Sequence, residues 1–222
     1  TLLELPGSRF TVSSVIDLLE TSEIQSAFSI SENDLPLIKK WISETGIRWG
    51  IDKHTKERLN LPPFSENTWS YGLNRLLMGY SLPSADKLSF MEIAGYDHVE
   101  GSQSEILSNF LDFIGKLTEF ITYLEQDHTL DRWSEILIRY FNTFFKADQD
   151  YQNDLFTINN TLAELAIIYK ELNYNEKVPL DIIKNWLGSK LQQQSLRPAL
   201  SPEISPSVHC FPCEASLSES SA

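Results

Sequence analysis

Cysteine is nearly missing from this chain. Its 222 residues hold two, Cys210 and Cys213, both near the C-terminal end, and the long body before them has none. This argues against a disulfide-stapled secreted domain, and a reducing compartment, the cytoplasm, is expected. Long apolar runs are missing too. No stretch approaches the roughly 18 to 20 apolar residues of a membrane span, so no membrane role is expected. Residues 1–10 lack the pattern of a signal peptide, and because the first residue is Thr1 rather than Met, the start is expected to be a cut into a longer chain. Positive charge is scarce: 18 Lys and Arg face 31 Asp and Glu, for a net charge of −13. A free-standing nucleic-acid binder carries a basic patch or stripe, and this chain taken whole repels phosphate. The acidity reads as a solvated surface, the alternative being an acidic face that docks a basic partner.

The signatures of chemistry are also missing. There is no G-x-x-x-x-G-K-[ST] phosphate loop and no G-x-G-x-x-G turn, so no backbone N–H cradle for a nucleotide is encoded. No H-E-x-x-H and no G-x-S-x-G elbow occurs. His54, His98, His128 and His209 are scattered without metal-ligand spacing. Acid pairs such as Asp148 with Asp150, or Glu23 with Glu32, are commonplace in so acidic a chain and single out no general acid and base. His209-Cys210-Phe211-Pro212-Cys213 is a C-x-x-C with a neighbouring histidine. A zinc site needs four ligands and a redox pair needs a βαβ context, and both are lacking, so no catalytic residue, metal or cofactor is assigned.

What is present is helical periodicity. Apolar residues make up 41% of the chain and aromatic residues 11%, which suits a soluble globular body. A short helix is predicted over 13–20. Ser31-Glu32-Asn33-Asp34 has the form of a helix-capping signature, and the helix after it places Leu35, Ile38, Trp41 and Ile42 on one side, with Gly46 as its stop. Segment 68–80 is predicted helical with Leu73, Leu76, Leu77 and Tyr80 as its apolar face, and 81–101 reads as a loop. Three long periodic segments follow. The first carries Ile106, Phe110, Phe113, Leu117, Phe120 and Leu124. The second carries Trp133, Ile136, Leu137, Tyr140, Phe141 and Phe144. The third carries Tyr151, Leu155, Ile158, Leu162, Leu165, Tyr169 and Leu172. A last helix over 179–193 shows Leu180, Ile183, Leu187 and Leu191, with Pro179 suited to its first turn. Stripes this aromatic must bury against one another, so the expected fold is mainly α, a multi-helix bundle.

Three stretches carry a family resemblance. They are Ser14-Val15-Ile16-Asp17-Leu18-Leu19-Glu20, Gly46-Ile47-Arg48-Trp49-Gly50-Ile51-Asp52, and Asn67-Thr68-Trp69-Ser70-Tyr71-Gly72-Leu73-Asn74-Arg75-Leu76-Leu77-Met78-Gly79-Tyr80. In this order and spacing they resemble the gamma subunit of exodeoxyribonuclease V, the RecC family, over about 10–194, a minor part of that whole subunit. The resemblance implies a helical insert of a helicase-like domain (an inactivated superfamily 1 architecture). It further implies a non-catalytic piece of a heterotrimer in which the beta and alpha subunits use ATP and Mg, and which processes DNA ends in double-strand-break repair by homologous recombination. Arg48, Trp49, Trp69 and Arg75 are the candidate contacts to DNA or a partner subunit, because tryptophan and arginine stack on bases and bind phosphate. Equally, both tryptophans can cap a bundle core with the arginine stems lying over them. The rival class is an acidic, all-helical interaction module or a non-functional remnant with no DNA role.

The C-terminal stretch differs in kind. From about 195 to 222 it is rich in serine and proline without usable period, and disorder is expected there. The family continues at this point into Leu-Pro-Met-Arg-Ser-Ile-Pro-Phe. The stretch Cys210-Phe211-Pro212-Cys213-Glu214-Ala215-Ser216-Leu217-Ser218 can be encoded by DNA that reads as that motif in the neighbouring frame. The tail is therefore expected to be out of frame, with the C-x-x-C as a by-product.

Overall fold

A computed structural model of the chain describes residues 2–81, 103–146 and 152–196. Within these residues the chain folds into nine α-helices and no β-strand, the mainly α architecture expected from the periodicity. Helices α1 (Val12–Leu19), α2 (Ser22–Phe28), α3 (Leu35–Glu44), α4 (Lys53–Arg58) and α5 (Trp69–Ser81) form the N-terminal half. The longer α6 (Ser104–Leu124), α7 (Leu130–Phe144), α8 (Gln152–Leu172) and α9 (Leu180–Leu196) form the rest. No helix of the described residues is long and apolar enough to cross a membrane.

Local chemistry starts and stops these helices. The Thr11 hydroxyl accepts from the Ser14 N–H at 3.3 Å and opens α1, and the Asp52 carboxylate accepts from the Thr55 N–H at 2.8 Å and opens α4. Ahead of α3 the Asp34 carboxylate accepts from the Ser31 N–H at 2.8 Å and the Ser31 hydroxyl at 2.7 Å. This fixes a 3-10 turn over Glu32–Asp34 that leads straight into α3. Gly46 takes φ +76° just beyond α3, a conformation that costs glycine little.

The predicted seams are real. Leu35, Ile38, Trp41 and Ile42 are all buried on α3, and α6 buries Phe110, Phe113, Leu117, Phe120 and Leu124 together with Leu107, Ile114 and Ile121. Trp133, Ile136, Leu137, Tyr140 and Phe144 are buried on α7, and Ile183 and Leu187 on α9. The rings pack in two groups, Phe10, Trp69 and Phe110 in one and Phe28, Phe113, Phe144, Phe120 and Tyr140 in the other. Phe10 meets Trp69 edge-on at 5.7 Å, Trp69 lies 6.4 Å from Phe110, Phe28 meets Phe113 at 5.2 Å, and Phe120 stacks on Tyr140 at 4.5 Å. Edge-on and offset geometries suit the ring quadrupoles and add about 0.5 to 1.5 kcal/mol per pair beyond burial. One hydrophobic cluster spans both halves, so the described residues share a single core.

Some faces depart from expectation. Leu77 and Tyr80 belong to the apolar face predicted for 68–80, yet they are 41% and 46% exposed. The buried arc of α5 runs through Trp69, Gly72 and Leu76, one turn earlier, where the helix meets the 46–52 segment. Leu172, the last residue of the α8 stripe, is 70% exposed, because only Thr161, Leu162 and Leu165 in the middle of α8 are fully covered. α2 and α4 were not anticipated: each is under eight residues, too short for periodicity to register. α9 extends to Leu196, two residues into the stretch expected as tail. Most of the 81–101 loop, Tyr151 and the rest of the tail, with His209, Cys210 and Cys213, lie outside the described residues.

Candidate functional site

Two of the three stretches that carry the family resemblance, 46–52 and 67–80, meet at one place, beside the residues that lead into the third. Segment 46–52 runs between the entry to α1 and the entry to α5. On one side the Val12 N–H donates to the Arg48 carbonyl at 3.0 Å and the Gly50 N–H donates to the Arg9 carbonyl at 2.8 Å, pairing Thr11 with Trp49 as an antiparallel bridge. On the other side the Arg48 and Trp49 N–H groups donate to the Asn67 carbonyl at 2.9 and 3.2 Å, and those of Trp69 and Ser70 donate to Gly50 and Ile51 at 3.0 and 2.9 Å. The knot satisfies buried backbone groups that no helix ladder reaches. It also needs left-handed backbone: Gly50 has φ +80° and Asn67 has φ +62°. Gly72 allows α5 to touch the segment, since a Cβ there would sit 2.1 Å from Ile47 Cγ1.

The four candidate contact residues part company here. Trp69 is 1% exposed, and its indole N–H donates to the Phe10 carbonyl at 3.0 Å. Both faces of the ring belong to the core. The Arg75 guanidinium donates to the Thr45 carbonyl at 3.0 Å, satisfying a carbonyl at the C-terminal end of α3 where a cation also suits the helix dipole. Trp49 is half-buried, with Lys56 Nζ held 5.0 Å from its ring centroid. That lysine, 6% exposed, donates to the Glu66 carbonyl at 2.6 Å and binds the 60–67 loop to the knot. No sequence signal marked Lys56, because α4 reads as an ordinary polar segment. The Arg48 side chain is exposed and has no ion-pair partner among the described residues.

No reactive centre assembles among the described residues. No group of three or more His, Cys, Asp and Glu able to hold a metal ion occurs among the described residues. His54 pairs with Glu57 at 3.0 Å on the surface, and His128 Nε2 contacts the Tyr123 carbonyl at 2.9 Å with its ring edge-on to Trp133. A cleft of about 470 Å³ opens between the N-terminal turn, α4 and the start of α9. Its cations are engaged: Arg58 pairs with Glu125, and Lys184 lies 2.8 Å from Glu4, holding the Glu4 carboxyl below its usual range.

Comparison with known proteins agrees with this placement. The family described as the RecBCD enzyme subunit RecC fourth domain matches residues 1–195. The RecBCD enzyme subunit RecC of Escherichia coli (strain K12) is 29% identical over 196 residues, covering 88% of this chain and 17% of the relative. That of Haemophilus influenzae is 30% identical over 192 residues, covering 86% and 16%. That of Mycolicibacterium smegmatis is 29% identical over 150 residues, covering 68% and 14%. The chain thus spans about a sixth of the length of the first two curated relatives. With two of its family stretches bound into one backbone knot and the family match running over residues 1–195, the chain belongs to the RecC fourth-domain family.

Proposed function

We propose that this chain serves as a non-catalytic scaffold domain of a RecC-type gamma subunit, working within an exodeoxyribonuclease V complex that processes DNA ends for double-strand-break repair by homologous recombination. In this reading the ATP and Mg chemistry belongs to the beta and alpha subunits, in the cytoplasm, and the domain descends from the helical insert of an inactivated helicase-like fold. The observation that carries it is the knot: residues 46–52 and 67–72, which belong to two of the stretches resembling the family, supply backbone bridges, glycine turns and a buried indole, which is the work of a scaffold. A chimera tests it. Residues 1–195 of this chain replace the matching segment of the Escherichia coli subunit, and the purified heterotrimer is assayed for ATP-dependent unwinding. Unwinding at near the parental rate is the expected result, whereas a heterotrimer that assembles but fails to unwind contradicts the reading.

A second reading, an acidic all-helical interaction module without a DNA role, draws support from Phe156 and Ile167, exposed at 66% and 53% on α8. It predicts that the chimera assembles with the partner subunits while tolerating charge reversal at Arg48 without loss of unwinding.

A further inference from the structure

Charge is unevenly distributed in this acidic molecule. Residues 35–58 hold six of the 18 cations and three of the 31 carboxylates in a chain of net −13; Lys56 is buried on the Glu66 carbonyl and Arg58 pairs with Glu125, which leaves Lys39, Lys40, Arg48 and Lys53 as the other exposed cations of this stretch. Those carboxylates are occupied: Asp52 caps α4, Glu57 pairs with His54, and Glu44 has an interaction of its own. Beside this stretch a groove of about 360 Å³ runs between α3 and the knot, lined by Val12, Ile42 and Ile47 at its floor and by Lys39 and Arg48. Lys40 lies one position further round α3, exposed and without an ion-pair partner among the described residues.

We propose that this groove, with Arg48, Lys39 and Lys40, binds the phosphate backbone of a nucleic-acid strand. The inference rests on the DNA-processing reading above and names the surface through which the domain takes part. Three physical points favour it. Arg48 is held by backbone hydrogen bonds on both sides, through its N–H to Asn67 and its carbonyl to Val12, so the root of its side chain is fixed. Its guanidinium is a planar fork that matches phosphate oxygens. Lys39 is held by Glu20 at 2.6 Å, but both side chains are about half exposed, and so solvated a pair is readily exchanged for phosphate.

The test uses the full 222-residue chain. Fluorescence anisotropy follows its binding to a labelled DNA duplex with a single-stranded tail, between about 50 and 200 mM salt. The paired change Lys40→Glu with Arg48→Glu is compared with Lys170→Glu with Lys177→Glu, two exposed lysines on and beyond α8 that alter net charge by the same amount. Weakening by about tenfold or more in the first pair, with a log–log salt slope shallower by about 2, and little change in the second, is expected. Far-UV circular dichroism checks the fold, and Lys40→Gln with Arg48→Gln repeats the measurement with a milder change. Equal losses in both pairs, no binding by the parent chain, or binding to a polyglutamate peptide in preference to DNA each overturns the proposal. An active chimera combined with any of these results leaves the scaffold reading standing and removes the groove alone.

Discussion

At Gly72, α5 lies against Ile47 with no room for a side chain: a Cβ would meet Ile47 Cγ1 at 2.1 Å and Cδ1 at 2.6 Å. Both contacts are to a side chain held inside the knot, so relief requires the knot to shift. Gly72→Ala is expected to cost about 1 to 3 kcal/mol, read as a lower urea midpoint. Ile47→Ala removes the colliding atoms, so the double variant should be less destabilised than the two single losses added together. Tyr140 presents a different constraint. Its hydroxyl is buried without a hydrogen-bond partner among the described residues, and burial, with the nearby Glu119 carboxylate, pushes its pKa above the ordinary 10.0. The folded chain therefore keeps this proton where the unfolded chain loses it. Tyr140 adds stability that is fully present below about pH 10 and is lost as pH rises further. Thermal melts at neutral pH should differ by no more than about 1 kcal/mol between the parent and Tyr140→Phe, whereas in the alkaline range the variant should lose less stability. Trp69 and Arg75 each complete a backbone hydrogen bond inside the fold, the indole to the Phe10 carbonyl and the guanidinium to the Thr45 carbonyl, which is the core-capping arrangement open to these residue types.

Helices α6 and α9 each carry a glycine with open space where its side chain would be, Gly115 and Gly188. Neither position has a positive φ, so each glycine only adds freedom to the unfolded chain. Gly115→Ala and Gly188→Ala are each expected to stabilise by roughly 1 kcal/mol, measured as a raised midpoint in urea. A loss of stability at Gly115 would mean that α6 is not continuous there. The long helices were legible because the three-and-four spacing of Phe110, Phe113, Leu117 and Phe120 places four large side chains on one line of a helix. α2 and α4 were not. α2 buries only Ile24 and Phe28, while the buried residues of α4 are Thr55 and Lys56, which no hydrophobic pattern marks. Leu77, Tyr80 and Leu172 continue a correct stripe past the point where a partner helix covers it.

The described residues form a helical body with aromatic rings packed inside and a weakly covered helix, α8, outside. α8 packs mainly against α7, yet it also shows Phe156 and Ile167 to solvent. Exposed apolar surface of this kind promotes self-association. Phe156→Ser with Ile167→Ser is expected to lower light scattering at high protein concentration while leaving the thermal midpoint nearly unchanged, as surface changes usually do. A large fall in midpoint would show that these side chains belong to the core. Sequence alone determined the mainly α class, the seams of α3, α6 and α7, and the family, because periodicity and local motifs are written residue by residue. Tertiary structure decided the rest: which end of a stripe is covered, that Gly72 must remain bare, that Trp69 is interior, and that Arg48 stays outside. Those outcomes depend on which surfaces come together across long separations in the chain, and no local pattern encodes the partner.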